Sequence, residues 1–369
     1  MQSIYKAKGP VQQSKQGWDS CRTAARPDRM IGPTFHGSGM DFRPELFRLA
    51  GKTEPLTSWI REGRHMANDK IRAVECVAAT GDRCGEGAVW HPGEQAVYWT
   101  DINRFLIHRY SLEWRSVKTW FFEQPVTALA LTNRDDTLAV VLGSGVILWE
   151  PAADRRSAHL FHLPGWPLVR CNDARVAPEG RLWIGTMRNN VGVDGAPGEA
   201  GGTDGILYRV DPDGTVSEWL RDVSIANTLA WSPDRSTFYF ADSPVNRISR
   251  YQYDASGQIG EERSFFEGFA RGLPDGSDMD SDGYLWNCRY GGSCLVRVAP
   301  SGKLDRVIEM PVQNPTTCIF GGRDRTTLFV TSASLDATPS DRLGGCLFSI
   351  ETGVQGLFPN RFHVFSRDK

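Results

Sequence analysis

Residues 172–187 read NDARVAPEGRLWIGTM. The first five, Asn172-Asp-Ala-Arg-Val176, open on a polar residue and run into apolar ones. Pro178, Glu179 and Gly180 then supply a turn, and Arg181-Leu-Trp-Ile-Gly185 begins a second β-rich run. Other five-residue words of this kind are Glu86-Gly-Ala-Val-Trp90, Thr127-Ala-Leu-Ala-Leu131, Asn227-Thr-Leu-Ala-Trp231, Asp275-Gly-Ser-Asp-Met279 and Thr316-Thr-Cys-Ile-Phe320. Most lead into a turn and a second strand, as in HPGEQAVYWTD (91–101), SPDRSTFYFADS (232–243), DSDGYLWNCRY (280–290) and GGRDRTTLFVTSA (321–333). A third strand follows in ILYRVDPDG, RISRYQYDASG and CLVRVAPSG. Successive words stand 41 to 55 residues apart, the length of one four-stranded blade.

Six words predict an all-β fold, a six-bladed β-propeller, whose closed ring removes the sheet edges that a long β chain would otherwise expose. The run Ile71–Ala79 (IRAVECVAA) is expected to join the last blade near LFSI (347–350) and clasp the ring. The longest spacing holds GVDGAPGEAGGTDG (192–205), which lacks the G-K-[ST] of a phosphate loop. It is read either as a cover over one mouth of the ring or as a plain surface loop.

Outside the repeat the chain says less. A formal net charge of −2 over 369 residues gives no electrostatic reason to expect nucleic acid or an anionic membrane as partner. No run of 18 apolar residues exists, and the opening MQSIYKAKGPVQQSKQGWDS has no apolar signal centre, so the expected location is the cytoplasm. Eight cysteines are scattered without a C-x-x-C pair, which predicts free, buried thiols rather than a thiolate metal site. Residues 1–65 show neither alternation nor a helical stripe. They are expected to be a disordered tail or an over-extended gene model, with translation starting at Met66 and residues 66–369 forming the propeller. A closed ring needs no partner, so a monomer or small homo-oligomer is expected.

In a propeller the innermost strand of each blade lines the central channel, and the opening residue of each word becomes one member of a ring. That ring reads Glu86, Thr127, Asn172, Asn227, Asp275 and Thr316. Every member carries a side-chain oxygen. A wet channel lined by polar groups is one explanation. Two acids and two amides converging on one axis also suit a hard cation such as Ca²⁺, Mg²⁺ or Mn²⁺.

The segments GEGAVWHPGEQAVYWTDI, RCNDARVAPEGRLWIGTM, IANTLAWSPDRSTFYFADS, LPDGSDMDSDGYLW and TTCIFGGRDRTTLFVTSA resemble the SMP-30/gluconolactonase family, in order and across all six blades. The resemblance implies one divalent cation on the axis, held by Glu86, Asn227 and Asp275. These are three of the six positions that the repeat selects. Ca²⁺ is the expected ion, with Mg²⁺, Mn²⁺ or Zn²⁺ as alternatives. The family's R-x-N-D motif maps onto Arg170 and Asn172 as substrate-binding residues. After G-T-M this chain has Arg188, Asn189 and Asn190 where animal members carry acids, and Asn190 can still bond a sugar hydroxyl.

The activity so implied is hydrolysis of a sugar-acid lactone, of gluconolactone or arabinonolactone type, to the open-chain aldonic acid. Asp275 is the candidate general base, and Arg170 would orient substrate oxygens and offset developing charge. The alternatives are a metal-dependent esterase or phosphotriesterase on the same propeller, and a non-catalytic calcium-binding platform. Asp173, Asp101 and Asp242 read as acids that fix local backbone. Trp90, Trp99, Trp183, Trp231 and Trp286 read as packing between blades.

Overall fold

The computed structural model describes residues 73–364. The expectation about residues 1–65 falls outside that range. The described residues form six antiparallel sheets and one short 3-10 helix, Ser243–Val245. Blade 1 is β2 (Gly85–His91), β3 (Ala96–Asp101), β4 (Leu106–Ser111) and β5 (Ser116–Phe121); β1 (Glu75–Ala78) precedes it. Blade 2 is β6 (Val126–Leu131), β7 (Leu138–Leu142) and β8 (Gly145–Glu150), its outer edge filled by two-residue strands β9 (Arg155–Arg156) and β10 (Phe161–His162). Blade 3 is β11 (Val169–Val176), β12 (Leu182–Arg188), β13 (Gly205–Val210) and β14 (Val216–Val223). Blade 4 is β15 (Ala226–Trp231), β16 (Thr237–Asp242), β17 (Arg247–Tyr253) and β18 (Ile259–Glu267). Blade 5 is β19 (Leu273–Met279), β20 (Leu285–Tyr290), β21 (Cys294–Val298) and β22 (Leu304–Glu309). Blade 6 is β23 (Asn314–Gly321), β24 (Thr327–Ala333) and β25 (Leu347–Glu351), completed by β1.

The inner strands touch in the order β2, β6, β11, β15, β19, β23, and β23 returns to β2. The ring is closed. Its clasp is the pairing of β1 with β25, Cys76 opposite Phe348, within the segments the sequence indicated. Asp82 seals the seam: its amide donates to the Gly345 carbonyl at 2.8 Å, and its carboxylate accepts from Trp99 Nε1 at 2.7 Å and Arg104 Nη2 at 2.8 Å.

Each blade is covered on both faces by its neighbours, so the middle strands AVYWTD and CLVRV are buried at every residue. The outermost strands, such as β5, turn to solvent. The tryptophans do fill the seams. Trp120 of blade 1 meets Trp149 of blade 2 edge-on at 5.0 Å, Trp183 meets Phe238 at 5.3 Å, and Trp286 meets Phe320 at 5.7 Å. Large rings suit seams between twisted sheets because they bury about 150–250 Å² each and tilt to match the gap. All seven described cysteines are free.

All six inner strands break register near the word's opening residue: between Glu86 and Val89, Val126 and Ala128, Cys171 and Ala174, Asn227 and Ala230, Pro274 and Ser277, and Pro315 and Cys318. A bulge adds one residue on one strand and re-aims the side chains around it. Space at the bulge is short. A methyl on Gly87, whose φ is +58°, would stand 2.5 Å from Ala128 Cα, and one on Gly276 would stand 2.1 Å from Thr317 Oγ1.

Two long segments connect blades across the ring. From blade 3 the Gly-rich loop reaches blade 1, where the Gly195 carbonyl accepts from Asn103 Nδ2 at 3.0 Å and Arg83 Nη1 at 3.2 Å. These bonds tether Gly195 to blade 1, while most of residues 192–204 are exposed. At the far mouth residues 355–364 cross beneath the ring. Gly356 bridges Asp280 of blade 5, and Phe362 bridges Thr132 beside blade 2. His363 donates its amide to the Gly180 carbonyl of blade 3 at 3.1 Å.

Candidate active site

The four non-threonine ring residues occupy the channel as the repeat requires, and the bulges determine what each offers. The Glu86 carboxylate accepts from the Gly87 amide at 3.0 Å, a bond that the left-handed turn at Gly87 permits. Asn227 donates Nδ2 to Ser243 Oγ at 2.9 Å, and Ser243 donates onward to the Pro274 carbonyl at 2.7 Å. This chain fixes the amide so that Oδ1 faces the axis, where Asn172 Nδ2 approaches it at 3.3 Å. The Asp275 carbonyl accepts from Thr228 Oγ1 at 2.5 Å and Asn287 Nδ2 at 2.9 Å. Thr228 holds φ = +56°, a conformation disfavoured for a β-branched residue, and its bond to Asp275 locks blades 4 and 5 together at the site.

The two threonines face away in function. Thr127 Oγ1 donates to the Val141 carbonyl at 3.3 Å, and Thr316 Oγ1 to the Gly85 carbonyl at 2.5 Å. Four ring members thus retain oxygens for a ligand.

The electrostatics are unusual. Burial, followed by the charge of Asp173, pushes the Glu86 carboxyl up to about 8. Burial and the Glu86 and Asp173 charges push Asp275 well above the ordinary carboxylate range, and the two carboxyls lie within hydrogen-bonding reach of each other. Asp173 is raised to about 6 by burial, and its Oδ2 is buried with no partner. Arg170 and Arg175 moderate Glu86 only through space. Two adjacent buried carboxyls without an ion pair suit a cation, because a positive charge between them would offset both the desolvation and the repulsion. Among the described residues no group of three or more His, Cys, Asp and Glu side chains is placed to hold a metal ion.

Arg170 is largely engaged by its neighbours. Its Nε and Nη2 donate to Asn190 Oδ1 at 3.0 and 2.9 Å, and its Nη1 donates to Asn172 Oδ1 at 2.7 Å and the Cys171 carbonyl at 2.9 Å. A guanidinium has five N–H bonds, and one on Nη2 is left for a ligand. Arg170 therefore acts mainly by holding Asn172 and Asn190 in place. Burial lowers it to about 10, which keeps it cationic near neutral pH. Asp101 and Asp242 bind local backbone as read: Asp101 takes the Arg83 and Cys84 amides, and Asp242 the Ser224 and Ile225 amides.

Four residues of the site were not singled out in the sequence. Ser243 and Thr228 orient Asn227 and Asp275. Cys84, half-buried, lies close enough to Glu86, Asp275 and Arg170 to feel their charges, and burial keeps it a neutral thiol. Tyr290 is raised by burial and, in smaller part, by Cys84, Asp275 and Glu86. Cys84 adjoins the Gly85-Glu-Gly word and could have been suspected. Tyr290 ends a second strand, Ser243 opens the 3-10 helix, and Thr228 follows Asn227 on inner strand β15, none with a signal of its own.

Residues 84–334 match the family model described as SMP-30/Gluconolactonase/LRE-like region. The chain belongs to the SMP-30/gluconolactonase family. Within that family it is 33% identical over 294 residues to pentonolactonase XacC of Haloferax volcanii, covering 77% of this chain and 96% of the relative. It is 32% identical over 290 residues to 6-deoxy-6-sulfogluconolactonase of Pseudomonas putida, again covering 77% and 96%. Among solved structures, the calcium-binding protein regucalcin of Agrobacterium tumefaciens superposes with a TM-score of 0.72 at 28% identity, over 79% of this chain and 97% of that one. The six-bladed architecture is therefore that of this SMP-30/gluconolactonase member as well as of its relatives.

Proposed function

We propose that this protein is a hydrolase that opens a sugar-acid lactone to its aldonic acid. The observation that carries the reading is the axial group of Glu86, Asp275 and Asn227, with Asn172 bonded to Asn227 at 3.3 Å and Arg170 tying Asn172 to Asn190. The lactonase names of two relatives support the reaction class. Glu86, Asn227 and Asp275 would hold a divalent cation, Ca²⁺ in the first place. When bound, such an ion supplies Lewis acidity to the ester carbonyl and counter-charge to the acids.

The chain's own groups perform the remaining work. Asp275, fixed through Thr228 and Asn287, accepts the proton of the attacking water. Water adds to the carbonyl carbon, the ring C–O bond breaks, and the ring oxygen leaves with a proton as a hydroxyl. Asn190, clamped by Arg170, presents its amide N–H groups to a substrate hydroxyl, the free Arg170 N–H faces developing negative charge, and Asn172, whose N–H groups go to the Ala226 carbonyl and Asn227 Oδ1, seats the Asn227 amide.

The test is acid release from a panel of lactones, aryl esters and phosphotriesters by metal-stripped protein with single cations restored. Cation-dependent release from sugar lactones, lost in Asp275→Ala, is expected. Turnover confined to the aryl esters or phosphotriesters would replace the lactonase reading with that of an esterase. Saturable cation binding without turnover of any compound would leave a binding platform.

A further inference from the structure

One tier below the ring, the residue three positions on in each word also lines the channel. This second tier reads Val89, Ala130, Arg175, Ala230, Asp278 and Ile319, and all six line a cavity of about 310 Å³ at the far mouth, above the residue 357–360 segment. Four members are apolar. Placing an arginine and an aspartate in such a tier costs solvation that a neutral pair would avoid. They are not a simple pair either. Arg175 Nη2 donates to the Ser277 carbonyl at 2.7 Å, and Asp278 Oδ2 accepts from the Phe320 amide at 2.7 Å.

The reach of Arg175 is informative. It starts on β11, two residues after Asp173, and ends on β19, two residues after Asp275. It passes beneath blade 4, which carries Asn227. Its guanidinium therefore spans from the strand of Asp173 to the strand of Asp275. Through space it stabilises the charged forms of Glu86, Asp173 and Asp278.

We propose that Arg175 is the built-in counter-charge of the axial site, and that the Arg175/Asp278 tier sets how tightly the axis holds its cation. The proposal rests on the metal reading given above. A fixed positive charge beneath the cage opposes a second positive charge entering it, while it compensates the acids when no cation is present. Asp278, of opposite sign in the same tier, works the other way. Arg175 is a positioning charge and touches neither substrate nor cation.

The experiment is titration of the full-length, metal-stripped protein with Ca²⁺ by calorimetry and with Tb³⁺ by luminescence, at pH 8.5 and low ionic strength. Melting temperature in chelator is measured in parallel. Arg175→Met is expected to bind Ca²⁺ about tenfold more tightly, the scale of one charge–charge interaction at an effective dielectric of ~20. It is also expected to melt lower in chelator. Asp278→Asn should bind severalfold more weakly, and Arg175→Lys should stay within about threefold of the parent because the charge is kept. Opposite signs in two residues that touch no ligand are what loose packing cannot produce. Unchanged or weaker binding in Arg175→Met, with normal binding by the parent, overturns the proposal alone. No saturable cation binding by the parent overturns the metal reading, and an unchanged melting temperature of Arg175→Met in chelator then overturns the counter-charge as well. Should Arg175→Met fail to fold, the sign of the Asp278→Asn effect decides.

Discussion

Arg170 shows how far a residue's role depends on what it already holds. Four of its N–H bonds go to Asn172, Asn190 and the Cys171 carbonyl, so its deletion would free two amides at once. Arg170→Lys is expected to lose about 10²-fold in kcat/KM with cation affinity unchanged, since a point charge cannot span both amides. Steady-state kinetics beside Ca²⁺ calorimetry checks this; activity near the parent's would show that the charge alone suffices. Asp275→Asn removes the proton acceptor while leaving the backbone bonds to Thr228 and Asn287. A fall of roughly 10²–10⁴-fold in kcat is expected, with near-native circular dichroism. Retention of more than a tenth of the activity would assign the base elsewhere.

At the scale of the strand, the bulge is the device that turns a repeat into a site. Gly87 permits it in blade 1, where a Cβ would meet Thr127 and Ala128 backbone at 2.6 and 2.5 Å. Gly87→Ala adds overpacking to a left-handed φ and should cost roughly 2–4 kcal/mol, read from urea unfolding. Loss of cation binding should accompany it, because the same turn aims Glu86. An unperturbed variant would mean that the inner strands can shift apart, contrary to their close approach.

The whole molecule is closed twice, by β1 on blade 6 and by the segment 355–364 running from blades 5 and 6 to blades 2 and 3. Phe362 is 2% exposed in the core between blades 2 and 3 and exchanges backbone bonds with Leu131 and Asn133. Phe362→Ala is expected to cost about 3–5 kcal/mol in urea unfolding, the usual effect of a buried phenyl cavity. A cost below 1 kcal/mol would show the crossing to be decorative. The axial site links these scales through mass action: at 100 times Kd a bound cation adds about 2.7 kcal/mol, so chelator should lower the melting temperature by about 5 °C without unfolding the protein at 25 °C. A melting temperature indifferent to chelator and to added Ca²⁺ would speak against cation binding in the folded state.

The sequence by itself determined the architecture, because each blade carries its own polar opening word, turn and apolar second strand, and these are local signals repeated six times. It also selected the ring of Glu86, Thr127, Asn172, Asn227, Asp275 and Thr316, since equivalent positions in a closed repeat must share a height. What the tertiary structure decided depends on contacts between blades, which no local pattern encodes. The bulges that aim the ring, the bond of Arg170 to Asn190, the seating of Asn227 by Ser243 and the crossing of Arg175 to Ser277 each join residues from different strands, loops or blades. The spacing of words names the members of the site. Only the packing of one blade on the next fixes which of their polar groups remain free to act.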